Sequence, residues 1–295
     1  MATYKQKSIL IKTVGFIGDI LFASSIAYNI KNKGTDFIRT HNVDYLISVP
    51  QPYELLCNNP YIRKVYLPGE VVDFDSYDEI HELKPIHRNE TPTIQFQQQC
   101  GLIEHHLDNS FYVFTNSSLD SYVSYMFQSI KPKTIVAYLE NWEERSFLFT
   151  EEEYIRGIDV PNLGYGGKHR DINYIISELS KRDDIYLIPV GRQPGDNHID
   201  LSTISEYSLT ASILKNCDWF IGAEGGLCNL AAGVGTKTII TGDFVHQLYG
   251  WNGVIEKCVE PKLGPKYYFP TFGHITLDPY FTDEEVVNQI NKIIC

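Results

Sequence analysis

"DWFIGAEGGLCNLAAGVGTKTII", residues 218–240, decides the fold. Trp219 to Gly222 make a short apolar run of strand type, which Ala223, Glu224, Gly225 and Gly226 break with a turn. "LCNLAAGVG" then reads as a short helix with small residues for close packing, and "KTIIT" (237–241) as the next strand. Strand, glycine turn, helix and strand in this order form a parallel β-α-β unit. Gly225 and Gly226 let the backbone come close to a ligand. The helix N-terminus offers free N–H groups and a partial positive charge suited to a diphosphate. The same turn would also serve any tightly packed α/β domain. Glu224 fits both cases, since it can cap the helix or accept hydrogen bonds from ribose or sugar hydroxyls.

The alternation extends outward from this unit. Upstream, "SILIKT" (8–13) is a strand that runs into "VGFIGD", and Ala23, Ile26, Ala27 and Ile30 recur at helical spacing. Gly15 and Gly18 open that turn, with Asp19 at its mouth. "DYLISV" (44–49), "RKVYL" (63–67), "YDEIHEL" (77–83) and "FYVF" (111–114) follow as strands, and "SSLDSYVSYMFQSI" (117–130) as a helix. "KPK" (131–133) interrupts the pattern, and "TIVAYL" (134–139) restarts it. Next come helix "DINYIISELSKR" (171–182), strand "IYLIPV" (185–190) and helix "SLTASILKN" (208–216). In the last helix Thr282 and Glu285 carry a capping-box spacing. The chain is therefore expected to be α/β, with two parallel-sheet domains, 1–131 and 132–280, facing a cleft. Helix 281–295 is a candidate to pack back on the first domain.

A formal net charge of −12 over 295 residues leaves no basic footprint for nucleic acid. No apolar stretch approaches the roughly 20 residues of a membrane span, so membrane contact would be peripheral. None of the six cysteines forms a Cys-x-x-Cys pair, which fits reduced thiols in a cytoplasm and argues against zinc. The histidines are scattered, and "DFD" (73–75) reads as a loop in the first half, so no metal is expected. Neither a Gly-x-Ser-x-Gly elbow nor a P-loop is present.

Two separated stretches carry a resemblance. "ILIKTVGFIGDILFASSIA" (9–27) has a strand whose turn closes with Gly-Asp and opens a helix. "GAEGGLCNLAAGVGTKTII" (222–240) has an acidic residue, a small residue, Gly, an apolar residue and, after one more, Asn. With "NNPYIRKVYLPG" (58–69) and "GGKHRDINYIISEL" (166–179) between them, the ordered set resembles the heptosyltransferase-type glycosyltransferases. The similarity runs from about residue 8 to 243. It implies the GT-B fold of two Rossmann-like domains, the first acceptor-side and the second binding the donor. It departs where the family has aspartate and histidine, here Glu224 and Asn229, and where its first helix has proline, here Ser24 and Ser25.

The resemblance implies an inverting transfer of sugar from a nucleotide-diphosphate sugar to a glycan or other hydroxyl acceptor, with no further cofactor. Such a transfer needs a base for the acceptor proton and positive potential for the departing diphosphate. The matching residue for the base is Asp19, in the loop of Gly15 and Gly18; a helix cap is the other role open to it. On the donor side it implies Lys168, Glu224, Gly225, Gly226, Leu227 and Asn229, and Arg192 stands at a strand's carboxyl end. Lys168 and Arg192 could equally be solvated loop residues. Two other classes keep the same donor site: a nucleotide-sugar epimerase or hydrolase, and a binding module without catalysis.

Overall fold

The structure is a computed structural model that describes residues 6–15, 17–32, 41–84, 92–102, 111–130, 133–139, 171–190, 205–223, 226–242, 275–277 and 281–294. The chain divides into two compact units. One holds Met1–Ser121 with Asp200–Ser212, the other Tyr122–Ile199 with Ile213–Cys295.

The first unit is built on four parallel strands, β1 (Ser8–Lys12), β2 (Asn42–Leu46), β3 (Lys64–Tyr66) and β4 (Glu79–Glu82), in the order β3-β2-β1-β4. Ile9 pairs with Val43 and Ile11 with Tyr45, so one face of the sheet is a continuous buried apolar surface. Helices α1 (Ile17–Ala23) and α2 (Ser25–Asn32) follow β1, α3 (Tyr53–Cys57) follows β2, and α4 (Pro92–Gln99) follows β4. The buried Tyr45 hydroxyl donates to the Ala23 carbonyl at 2.9 Å and accepts the Ala27 N–H at 3.3 Å, which pins the α1–α2 junction to the sheet. The helical spacing predicts one helix here. Ser24 divides it, with its hydroxyl donating back to the Leu21 carbonyl at 2.7 Å.

Two polar devices hold this unit. The buried Gln97 of α4 accepts from Asn29 Nδ2 at 2.6 Å and donates to Ser25 Oγ at 3.0 Å, joining α2 to α4. Asp44, at the middle of β2, accepts from Arg63 at 2.9 and 2.5 Å and from the Tyr77 hydroxyl at 2.6 Å. The crossover from β3 to β4 carries a short 3-10 turn, Phe74–Ser76, which absorbs "DFD".

"FYVF" at 111–114 is not a strand. Its rings are used in packing instead: Phe111 lies edge-on to Phe22 at 4.9 Å, Tyr112 against Tyr28 at 4.8 Å, and Phe114 against Tyr61 at 5.7 Å. Helix α5 (Ser117–Phe127) follows, with the division between units falling inside it.

The second unit has five parallel strands, β5 (Thr134–Leu139), β6 (Ile185–Val190), β7 (Trp219–Ala223), β8 (Lys237–Gly242) and β9 (Ile275–Thr276), in the order β6-β5-β7-β8-β9. Helices α6 (Ile172–Leu179), α7 (Ser205–Lys215) and α8 (Gly226–Gly233) lie between them in sequence. The last helix is α9 (Asp283–Ile293). Its apolar stripe, Val286, Val287 and Ile290, is buried with Val136, Ile175, Leu179 and Ile221 in this unit's core. Arg182 fixes its end by donating to Asn291 Oδ1 and to the Ile294 carbonyl, both at 3.2 Å.

Candidate functional site

The turn after β1 is organised around a missing side chain. Thr13 extends the ladder one residue past β1, its N–H donating to the Leu46 carbonyl at 2.9 Å. Gly15 then takes a left-handed backbone, φ +78°, which disfavours any residue with a Cβ. A Cβ placed there would lie 2.2 Å from Oδ2 of Asp19, so the carboxylate rests directly against the glycine. Asp19 is half-buried and lies in the first turn of α1, two residues inside the helix start at Ile17. It is therefore not the N-cap residue, although the positive end of the helix favours its charge. Gly18, expected in the loop beside Gly15, is instead the second residue of α1.

Two residues that sequence reasoning missed support this turn. The Ser48 N–H donates to Thr13 Oγ1 at 3.0 Å, and the Ser48 hydroxyl donates to the Gly15 carbonyl at 2.9 Å. Both lie at the carboxyl end of the first sheet, where parallel α/β sheets place ligands. The available signal was a hydroxyl residue just past a strand's end, "ISVP" (47–50).

The second turn follows β7. Gly222 packs tightly, since a Cβ there would meet the Phe220 ring at 2.7 Å and Leu139 Cβ at 3.2 Å. The pairing of β7 with β8 shifts register between Gly222 and Ala223, at the mouth of the turn. Helix α8 begins at Gly226, so this glycine is the first helical residue. Leu227 to Gly233 are all buried. Asn229 is 3% exposed and its Oδ1 is buried with no hydrogen-bond partner.

Asp19 and Gly15 thus come together on the first unit, and Gly226, Leu227 and Asn229 on one helix of the second. Lys168, Arg192, Glu224 and Gly225 lie outside the described residues. Among the described residues no group of three or more His, Cys, Asp or Glu side chains is arranged to hold a metal ion. Burial pushes the Cys217 thiol up to about 12, which favours its neutral form. No helix among the described residues is long and apolar enough to cross a membrane.

No family model matches the chain, and no curated protein matches it in sequence. Solved structures do. The glycosyl transferase family 9 protein from Veillonella parvula superposes with a TM-score of 0.62 at 9% identity, over 99% of this chain and 98% of that one. The two chains share a fold. The E. coli ADP-heptose lipopolysaccharide heptosyltransferase II gives a TM-score of 0.56 at 9% identity, over 97% and 98% of the two chains. TibC, an iron-containing dodecameric glycosyltransferase from enterotoxigenic E. coli, gives 0.54 at 13% identity, over 98% of this chain and 76% of its own. The paired parallel sheets of this chain are thus matched over nearly their full length, in agreement with the α/β expectation.

Proposed function

We propose that the chain is an inverting glycosyltransferase that moves a sugar from a nucleotide-diphosphate sugar to an acceptor hydroxyl. The observation that carries it is the seating of the Asp19 carboxylate against Gly15 at the carboxyl end of the first sheet, in a fold shared with heptosyltransferases. A base must sit on a rigid element and take a proton as the acceptor oxygen attacks. Asp19 would take the acceptor's proton, the acceptor oxygen would bond to the anomeric carbon, and the diphosphate would leave with the electrons of the broken C–O bond. On the second unit, the N-terminus of α8 and its neighbouring glycines would hold the diphosphate, with Lys168 and Arg192 as cations. Asn229 and Glu224 would meet the sugar or ribose. The reaction requires the two sheet ends to face one cleft, the first unit acceptor-side and the second donor-side. No metal is needed where helix dipole and lysine neutralise the diphosphate. A complex of the neighbouring heptosyltransferase TibC contains ADP-D-β-D-heptose, so an ADP-linked heptose heads the list of donors to try. A glycan or another hydroxyl compound would be the acceptor, reached in the cytoplasm or by peripheral contact at a membrane surface.

The test is release of nucleoside diphosphate from a panel of ADP-, UDP- and GDP-sugars, with and without glycan acceptors. Acceptor-dependent release from one donor, with inverted anomeric configuration in the product, is expected. Conversion of a donor without acceptor would favour epimerase or hydrolase chemistry, and donor binding with no turnover a binding module.

A further inference from the structure

The Asp19 turn is not held by its own backbone alone. The strand ladder ends at Thr13, and Gly15 is two residues beyond it, in a left-handed conformation that glycine adopts without strain but that no ladder bond fixes. Ser48, 33 residues away in sequence, reaches the turn at that point and donates its hydroxyl to the Gly15 carbonyl at 2.9 Å. Ser48 is itself fixed, because its N–H is bound to Thr13 Oγ1 at 3.0 Å and the two hydroxyl oxygens lie 3.5 Å apart. Thr13 and Ser48 therefore form a small brace between the ends of β1 and β2. The brace holds the carbonyl of the glycine on which the Asp19 carboxylate rests.

We propose that Ser48 is a positioning residue: by holding the Gly15 carbonyl it fixes the left-handed turn on which Asp19 rests, and so sets where the base points. This rests on Asp19 acting as the base, and it adds the residue that aims it. A merely structural bond between strand ends would be complete with the Ser48 N–H and Thr13. The additional hydroxyl bond goes past the strand, into the turn itself. Loss of the hydroxyl frees the Gly15 carbonyl to rotate. The carboxylate then loses its seat while sheet and helix stay paired.

The test is carbon-13 NMR of the full chain labelled at aspartate Cγ, with the Asp19 signal assigned by its loss in Asp19→Asn. Ser48→Ala should move the Asp19 signal and leave that of Asp44 in place, and Ser48→Thr should restore it. Thr13→Val, which keeps the branched shape and removes the hydroxyl, should move it in the same direction by less. With a donor that the wild type turns over, Ser48→Ala should lower kcat by about ten- to a hundredfold at little changed KM. An unmoved Asp19 signal in both Ser48→Ala and Thr13→Val, or a wild-type kcat in Ser48→Ala beside an inactive Asp19→Asn, overturns the positioning role. Full activity in Asp19→Asn would instead remove the base on which the inference stands.

Discussion

At the residue scale, Gly15 and Asp19 act as a pair. A methyl group on Gly15 meets the carboxylate at 2.2 Å and must also occupy φ +78°, so Gly15→Ala is strained twice. The backbone conformation alone should cost about 1–2 kcal/mol, read as a lower midpoint in urea denaturation. Transfer should fall with it, while binding of nucleoside diphosphate, on the other unit, stays as in the wild type. Asp19→Asn should keep the fold and lose about 10²–10⁴-fold in rate, the usual contribution of a general base. Asp44 gives a contrasting carboxylate. It is buried at 0% exposure, held by Arg63 and Tyr77, and remote in role from the turn. Asp44→Ala should destabilise by about 1–3 kcal/mol, because Tyr77 and Arg63 lose their acceptor while the Arg63 side chain stays half exposed. The place of Asp19 at the mouth of a turn is legible in the sequence because a Gly-Asp pair soon after an apolar strand is a local pattern; its role as base comes from the resemblance. Ser48 and the Asp44 network are not, because a hydroxyl or carboxylate finds its partner through strand order, and spacing along the chain does not reveal that order.

At the element scale, strands with a continuous apolar run are the easiest to read. "TIVAYL" and "IYLIPV" are strands over the expected residues, and "KTIIT" runs one residue further. Helix α4 is unmarked in the sequence because its buried face includes Gln95 and Gln97, which leaves no apolar stripe; Gln97 enters the core by pairing with Asn29 and Ser25. The capping box of α9 is legible in its spacing and forms in full. The Thr282 hydroxyl accepts the Glu285 N–H at 3.2 Å, and the Glu285 carboxylate accepts the Thr282 N–H at 2.6 Å. Thr282→Ala should therefore cost about 1 kcal/mol, measured by thermal unfolding, with the second unit's core loosened first. A pH effect belongs to the start of β4. The Lys7 ammonium, paired with Glu79, holds that carboxyl below its ordinary value, with a hydrogen bond from His81 assisting. A depressed carboxyl stabilises the fold above its unfolded pKa, near 4.5, and this contribution is lost as pH falls through the lower folded value. Stability should thus drop on acidification below about pH 4.5, and less steeply in Glu79→Gln. Equal slopes in the two proteins would dismiss the pair as a source of acid sensitivity.

At the scale of the whole molecule, the proposed function divides the labour between the two glycine turns. A net charge of −12 gives no general attraction for a diphosphate, so its binding must come from local dipoles. The first turn opposes it, with Asp19 in the opening turn of a helix only seven residues long. The second presents the eight-residue α8, acid-free in its first turn, with the buried Asn229 Oδ1 still to be satisfied. Free nucleoside diphosphate should accordingly bind to the second unit alone. Hydrogen–deuterium exchange with saturating ADP or UDP should slow peptides spanning β7 and α8, residues 219–233, and leave those spanning β1 and α1, residues 8–23, exchanging as in the free protein. Asn229→Leu should weaken that protection, because it removes the buried side-chain acceptor of α8 and leaves the ligand's donor group unmatched. Protection of residues 8–23 by the nucleotide alone would reverse the assignment of the two units, and with it the case for Asp19 as a base facing the acceptor.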